Sequence, residues 1–328
     1  MKKPTVAIIG AGITGASCAY HLSAHGFNPS VFEKSRGVGG RLATRNIDNQ
    51  FFFDHGAQYY TIKNSELSLL TKLSLLTKTA CKRDACAEWV PKPAENVGQY
   101  NKSMFVGTPK MNSFLKPLFA DAHLIFKEEI TRINMEENSW NLKSSEGLVD
   151  KFDIVVSTIP APQAKILFED ILAEVQLLDK VVMLPCWALM VAFETPLNFE
   201  FDIWRSENSN ISWLSRNSSK PQRVQSQDAW VCHANPKWSS ENIDKSREEV
   251  CQAMIAMLAD IQGCKLPKTL FEIAHRWRYA QAANILGQPY LTNNNKTLYV
   301  AGDWCLGSRV EAGFESGLSV AQSIISNL

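Results

Sequence analysis

Three glycines near the start of the chain have the spacing of a site that binds the pyrophosphate of a dinucleotide. They stand between an apolar run at residues 5–9 and a segment of small residues at 13–24. A glycine turn between a strand and a helix lets the backbone approach a pyrophosphate at the positive end of the helix. Glu33 follows eighteen residues later, where a carboxylate can accept hydrogen bonds from both ribose hydroxyls. The predicted turn comprises Gly10, Ala11, Gly12, Ile13, Thr14 and Gly15.

That turn alone fits NAD or FAD, and two further stretches favour FAD. Residues 36–41 contain three glycines and two arginines, so flexible backbone and guanidinium groups lie near the expected pyrophosphate. Near the other end of the chain, Gly302 and Asp303 end a strand before a terminal helix. Asp303 can accept hydrogen bonds from ribityl hydroxyls, and the helix start near Val310 can stabilise a reduced, anionic flavin.

The elements that must position these residues alternate between strand and helix patterns. A strand, a helix and a second strand at residues 5–9, 13–24 and 30–33 form a βαβ start. Leucines at helical spacing then predict a first excursion into another domain: Leu67, Leu70, Leu73 and Leu76. Helical spacing returns at residues 111–119. Further strands are predicted at 123–126, 130–134, 140–143, 154–159, 187–194, 211–216, 230–234 and 297–301, with a terminal helix at 311–325.

This alternation predicts an α/β fold of two interleaved domains. The 328 residues exceed the ~100 to 200 residues of a usual single domain. An FAD-binding Rossmann-like domain is predicted to take residues 1–60, 106–160 and 276–328. An α+β substrate domain takes residues 61–105 and 161–275.

Charge, cysteine content and hydropathy argue against several classes of protein. The 34 basic and 33 acidic residues nearly cancel, so bulk charge does not draw the chain to nucleic acid or an acidic membrane. Eight cysteines form neither CxxC pairs nor a Cys/His ligand spacing, so no metal site is predicted. The longest apolar run, residues 181–193, is shorter than the ~18 residues that span a bilayer. We expect a cytoplasmic protein that binds a small molecule.

Four separated stretches resemble the flavin-dependent amine oxidase superfamily in their order along the chain. They are residues 10–15 with Glu33, residues 36–41, residues 155–160, and residues 302–303 with 312–317. Within that superfamily the chain resembles the renalase group, particularly its bacterial members. The stretches that carry this resemblance are residues 34–36, 39–41, 54–59, 302–305 and 309–311. The resemblance implies FAD as cofactor and a fold like that of p-hydroxybenzoate hydroxylase and monoamine oxidase.

The resemblance also implies which residues meet the cofactor. Gly56 and Ala57 would lie near the isoalloxazine, and Ile130 would contact adenine through its backbone. Beyond the glycine turn, the predicted FAD set is Glu33, Lys34, Gly40, Arg41, His55, Gly56, Ala57, Ile130, Asp303, Arg309 and Val310. We expect the FAD to be non-covalent, because Cys305 is the nearest thiol and lacks the pattern that surrounds the cysteine of covalent amine oxidases.

A hydride donor that stacks on an isoalloxazine needs a flat, apolar slot with polar groups at its rim. His233, on a predicted strand, can orient a carboxamide, accept a proton, or serve only the structure. Arg276 and Arg278 could divide two roles, one meeting a substrate phosphate and the other forming a surface pair. Candidate aromatic walls are Tyr59, Tyr60, Trp187, Trp213, Trp277, Tyr279 and Trp304. The predicted catalytic set is Tyr59, Tyr60, His233, Arg276, Trp277 and Trp304.

The resemblance implies oxidation of the 2- and 6-dihydro isomers of NAD(P), with hydride passing to flavin and then to O2. The residues themselves predict only a flavin oxidoreductase. Two alternatives stay open: a flavin-containing amine oxidase acting on a small amine, and a non-catalytic flavin sensor. Phosphate-binding groups at the pocket mouth would favour a dinucleotide substrate. A smaller slot with aromatic residues on two sides would favour an amine.

Overall fold

The computed structural model describes residues 3–63, 67, 70, 85–95, 103–224 and 227–327. The strands are β1 (Val6–Ile9), β2 (Ser30–Glu33), β3 (Thr44–Ile47), β4 (Phe51–Asp54), β5 (Ala85–Trp89), β6 (Met104–Thr108), β7 (His123–Phe126), β8 (Ile130–Glu136), β9 (Ser139–Ser144), β10 (Gly147–Phe152), β11 (Ile154–Ser157), β12 (Val182–Phe193), β13 (Ile203–Arg205), β14 (Ile211–Arg216), β15 (Asp228–Ala234), β16 (Thr269–Asn284), β17 (Tyr290–Thr292) and β18 (Leu298–Ala301). The α-helices are α1 (Ile13–Ala24), α2 (Ala161–Phe168), α3 (Pro236–Glu241), α4 (Arg247–Gln262) and α5 (Val310–Ser326).

A six-stranded sheet with the order β17-β18-β11-β1-β2-β7 carries the nucleotide half. All pairings are parallel except that of β17 with β18. Every residue of β1 and β11 is buried, because the strands of a parallel sheet are covered on both faces. Glu33, Thr158 and Gly302 lie at or just after the carboxyl ends of β2, β11 and β18, the edge at which α/β folds bind ligands. The Rossmann-like half of the predicted fold is confirmed.

Helices α1 and α5 pack against each other closely enough to require glycine. A Cβ on Gly317 would lie 2.2 Å from the carbonyl oxygen of Thr14. A Cβ on Gly313 would lie 2.7 Å from Cγ2 of Ile13. The close approach brings the start of α5 beside the glycine turn at the start of α1.

A five-stranded antiparallel sheet, ordered β13-β14-β15-β12-β16, forms the centre of the substrate half. Helix α4 covers one face with Val250, Met254 and Leu258, which belong to the same core as Trp187 of β12. The β3–β4 hairpin packs on the other face, where Phe53 shares a small core with strand residues of β12 and β15. The β3–β4 hairpin and helix α4 therefore enclose the substrate sheet from opposite faces.

Most predicted elements lie where the sequence placed them, with three differences. Strand β16 is continuous through the predicted domain boundary at 275/276 and pairs with β12 as far as Asn284. The predicted domain boundary at 105/106 likewise falls within a strand, β6, which pairs with β5. Residues 111–119 form a 3₁₀ helix with Pro117 inside it. Of the leucine repeat, Leu73 and Leu76 lie outside the described residues.

No α-helix in the part of the chain that the structure describes is long and apolar enough to cross a membrane. The longest described helix, α5, has 17 residues. It packs against α1 through its buried face.

Candidate functional site

The glycine turn has the geometry of a pyrophosphate cradle. Gly10 has a φ of +105°, a left-handed conformation that favours glycine, and its N–H donates to Phe32 O at 2.8 Å. A Cβ on Gly15 would lie 2.1 Å from the Gly10 carbonyl oxygen. A Cβ on Gly12 would meet nothing within 4 Å, so this second glycine of the turn faces open space. The first-turn amides of α1 have no partners within the helix and are available to an anion there.

Glu33 is held in place to meet a ribose. Its Oε2 accepts from Ala11 N at 3.0 Å and its Oε1 accepts from Ser35 N at 2.8 Å. Each carboxylate oxygen keeps a further lone pair, so the fixed side chain can still accept from ligand hydroxyls. Lys34, also predicted for the cofactor, has its side chain in a surface pair with Glu129 at 3.6 Å.

Three loops converge on Arg41. Its guanidinium donates to Asp303 in a bidentate pair, Nη1 to Oδ2 at 2.9 Å and Nη2 to Oδ1 at 2.6 Å. Its carbonyl accepts from Ala57 N at 2.9 Å, and a Cβ on Gly56 would lie 1.9 Å from that same oxygen. The 36–41 loop, the 54–58 turn and the 302–303 turn are therefore locked together beside the start of α5.

These groups fit FAD. The open space at Gly12 and the free first turn of α1 suit a pyrophosphate, and the fixed Glu33 suits a ribose. Asp303 could accept hydrogen bonds from a ribityl chain, and Val310 is the first residue of α5, at the positive end of that helix. Cys305 is fully buried, and burial raises its pKa to about 12, so its thiol is poorly suited to forming a flavin linkage.

On the substrate sheet, four residues form one row across neighbouring strands. Register places His275 of β16 opposite Ala188 of β12, Ala188 opposite His233 of β15, and His233 opposite Trp213 of β14. Residues directly opposite on antiparallel strands project to the same face. This row, the substrate row, faces the 54–58 turn, because His233 Nε2 lies 3.2 Å from the His55 carbonyl oxygen. Tyr59 packs on Trp213 with ring centroids 5.8 Å apart.

The His55 carbonyl ties the turn to the sheet. It accepts from Trp277 Nε1 at 2.9 Å and from His233 Nε2, which fixes the tautomer of His233 with its proton on Nε2. Trp277 also stacks on the His55 ring at 5.0 Å between centroids. Burial lowers the pKa of His55 to about 3 and the pKa values of His233 and His275 to about 4. All three imidazoles are therefore neutral at pH 7.

The structure does not bring three members of the predicted catalytic set to this face. Tyr60 stacks on Phe114 in the nucleotide core, because extended backbone sends Tyr59 and Tyr60 to opposite sides. Trp304 is fully buried, and its Nε1 donates to the Ile159 carbonyl oxygen at 3.1 Å. These two assignments are corrected to core positions.

Arg276 lies on the wrong face of β16 for the predicted role. It neighbours Trp277, which points to the substrate row, and alternation along a strand sends it to the opposite side. Its guanidinium lies over the Trp187 ring, 5.7 Å from the centroid, and donates to the Ile243 carbonyl oxygen. Trp187 itself is buried in the core under α4. Arg276 thus stabilises the helix-covered face, and its place in the predicted catalytic set is corrected.

Sequence reasoning missed a buried charged group beneath the 54–58 turn. Lys220 and Arg223 donate to Asp54 Oδ2 at 3.2 and 2.8 Å, and all three side chains are at most 1% exposed. Burial acts to raise the pKa of Asp54, but the charges of Arg223 and Lys220 outweigh it and hold that pKa well below its usual value. In the sequence, residues 217–223 form a polar stretch typical of an exposed loop, so no local signal marked these cations as buried.

Comparison with known protein families agrees with this geometry. The family model described as "Flavin containing amine oxidoreductase" matches residues 95–325, and that described as "NAD(P)-binding Rossmann-like domain" matches residues 8–70. The chain belongs to the flavin-containing amine oxidoreductase family. Its flavin-dependent oxidoreductase class and its use of a flavin follow from that membership.

The chain is also similar to individual relatives. It is 25% identical to renalase from Mus musculus over 346 aligned positions, covering 96% of this chain and 97% of that protein. The renalase-like character predicted from the motifs is confirmed. Protoporphyrinogen oxidase 2 of Arabidopsis thaliana is 40% identical over 74 residues, which cover 22% of this chain and 14% of that protein.

Solved structures show the same fold. A putative protoporphyrinogen oxidase from Exiguobacterium sp. 255-15 superposes with a TM-score of 0.76 at 14% identity, covering 100% of both chains. A putrescine oxidase redesigned in its cofactor binding gives a TM-score of 0.76 at 13% identity and covers 99% of both chains. The predicted amine oxidase-like fold is confirmed.

Proposed function

We propose that this protein is an FAD-dependent oxidase of 2- and 6-dihydro isomers of NAD(P). The net reaction is dihydro-NAD(P) plus O2 and a proton, giving β-NAD(P)+ and hydrogen peroxide. The observation that carries the proposal is the similarity to renalase across nearly the whole of both chains, rather than over the nucleotide half alone. Bound FAD supplies a two-electron acceptor that O2 can reoxidise.

The chain's own residues account for holding that cofactor non-covalently. The glycine turn would bind the pyrophosphate, Glu33 would bind the adenosine ribose, and Arg41 and Asp303 would bind the pyrophosphate end and the ribityl chain. Gly56 and Ala57, whose backbone is fixed against the Arg41 carbonyl, would border the isoalloxazine. The proposed FAD set is completed by Lys34, Gly40, His55, Ile130, Arg309 and Val310.

The substrate row supplies the surface that orients a dihydronicotinamide. His233 is neutral and donates its Nε2 proton to the His55 carbonyl, which leaves Nδ1 as a hydrogen-bond acceptor for a carboxamide N–H. Trp213 and Tyr59 flank it on one side, and His275 lies beyond Ala188 on the other, in edge-to-face contact with Trp277. No strong nucleophile is required, because the donor needs only to be held flat and shielded from water.

The proposal is tested by anaerobic mixing of the purified yellow protein with 6-dihydro-NAD, ordinary NADH and a panel of small amines in separate cells. Flavin bleaching is followed by absorbance. We expect fast bleaching by the 6-dihydro isomer alone, with hydrogen peroxide on readmission of air. Slow or absent bleaching by that isomer in a protein that holds FAD would refute the substrate assignment.

A small-amine oxidase is the second candidate, and one observation favours it. Aromatic pairs, Tyr59 with Trp213 and His55 with Trp277, lie at two places along the same sheet face, as an amine slot bounded by aromatic rings requires. The described residues offer Arg276 no path to a phosphate on that face, which removes one support for a dinucleotide. Bleaching by an amine in the same panel would select this function. A non-catalytic sensor would bind FAD, and none of the donors would bleach its flavin.

A further inference from the structure

The charged group beneath the 54–58 turn is buried and linked by several hydrogen bonds. Asp54 ends β4, and its Oδ1 accepts from Thr44 Oγ1 at 2.6 Å while its Oδ2 meets both cations. Arg223 also donates to the Gly107 carbonyl oxygen at 2.9 Å. Lys220 lies over the Trp89 ring, 5.3 Å from the centroid. Asp54, Lys220 and Arg223 therefore form a fixed, buried cluster, unlike an ordinary surface ion pair.

The charges of this group do not cancel. Two cations face Asp54, the one carboxylate that the described residues place on them. Burying an uncompensated charge is costly, and well-packed apolar residues of similar size are often as stable or more stable. Burial lowers the pKa of Lys220 to about 8, in keeping with that cost. Stability alone therefore does not account for a lysine at this position.

The group is connected to the flavin side of the fold through Gln58. Lys220 Nζ donates to Gln58 Oε1 at 3.0 Å, and because a lysine can only donate, this contact orients the amide. Gln58 Nε2 then donates to the Gly56 carbonyl oxygen at 3.0 Å and to the Asp54 carbonyl oxygen. Two hydrogen bonds thus run from the buried lysine to Gly56, the residue that is pressed against Arg41.

We propose that Lys220 and Arg223 are positioning residues, which hold the 54–58 turn from beneath through Asp54 and Gln58 and place one excess positive charge two hydrogen bonds from Gly56. They set how tightly the chain retains FAD and how readily the bound flavin accepts electrons. A nearby cation favours the reduced, anionic flavin over the neutral oxidised form. The inference rests on the FAD site of the proposed function and requires no particular substrate.

The test compares three variants as purified holoenzymes without substrate. Lys220→Met removes the charge and the contact to Gln58 at nearly constant volume. Gln58→Met removes only the link to the turn. Lys165→Met is the matched control, since that lysine forms a surface pair with Asp179 and lies far from the turn in sequence and fold. FAD release on dilution is followed by FAD fluorescence, and the flavin midpoint potential is measured by equilibration with a reference dye.

We expect Lys220→Met to release FAD at least tenfold faster and to have a more negative midpoint potential than the wild type. Gln58→Met should also release FAD faster, with a smaller change in potential, and Lys165→Met should match the wild type. Wild-type behaviour of a folded Lys220→Met protein in both measurements would overturn the inference. If Lys220→Met does not fold, unchanged FAD release by Gln58→Met overturns it and faster release supports it. A wild-type protein that holds no FAD would instead refute the proposed function.

Discussion

The nucleotide half and the substrate sheet meet at the 54–58 turn, but they build their parts of the site from different materials. The nucleotide half uses backbone: the space that a Cβ on Gly15 or Gly317 would need is filled by carbonyl oxygens at 2.1 and 2.2 Å. The substrate sheet uses side chains, with His233 and Trp213 projecting from neighbouring strands. A backbone surface accepts no added atom, whereas a side-chain surface can change one residue at a time. Cofactor binding should therefore be the rigid property of this fold and substrate choice the adjustable one.

Acidification should destabilise the substrate half of the protein first. The folded pKa values of His55, His233 and His275 lie below the usual 6.5, so between about pH 6.5 and 4 the unfolded chain binds more protons than the folded one. Stability is then lost as the pH falls through that window, by on the order of 1.4 kcal/mol per pH unit for each histidine. Urea unfolding from pH 7.5 to pH 5 measures this.

A matched variant sharpens the acid prediction. His275→Gln removes one titrating imidazole from the substrate row. The slope of the unfolding free energy against pH should therefore decrease by the contribution of about one proton. Equal unfolding free energies at pH 7.5 and pH 5 in the wild type would show that the buried imidazoles do not govern acid stability.

Two alanine substitutions in the glycine turn should separate packing from cofactor binding. Gly15→Ala forces a methyl group against the Gly10 carbonyl oxygen. It should lower the free energy of unfolding by roughly 1–3 kcal/mol and also abolish FAD binding. Gly12→Ala meets nothing within 4 Å, so it should fold with a normal melting temperature and still lose FAD, because the methyl group fills the cradle. Melting curves and the flavin absorbance of purified protein test both. FAD retained by Gly12→Ala would place the pyrophosphate elsewhere.

The smallest effect is expected on the substrate row. His233→Asn keeps a neutral hydrogen-bonding side chain but moves its acceptor atom, so flavin reduction should slow by about tenfold, or about 1.4 kcal/mol. FAD affinity should change little, since His233 contacts the turn at the His55 carbonyl oxygen and at Gln58 Nε2, and at neither Gly56 nor Ala57. Rapid-mixing reduction rates and FAD release provide the two readouts. Equal losses of reduction rate and of FAD affinity would mean that the nucleotide half and the substrate sheet do not act separately.

The nucleotide half was predictable because its signals are local. Helix α1 and strands β2 and β7 have the bounds that the sequence patterns indicate. Glu33 accepts from the turn it was paired with, at 3.0 Å from Ala11 N. Two of the errors fall at neighbouring positions of extended chain, because the sequence did not show that Tyr60 faces away from Tyr59 or that Arg276 faces away from Trp277.

Residue spacing over short stretches of the sequence was enough to indicate a flavin-binding Rossmann-like half, because a glycine turn and its acidic partner belong to one βαβ unit. The substrate row and the buried lysine could emerge only from the folded chain. The row joins His275, Ala188, His233 and Trp213 through strand register, and Lys220 meets Asp54 across 166 residues of sequence. Contacts at such separation depend on how distant segments pair and pack, which no local pattern encodes.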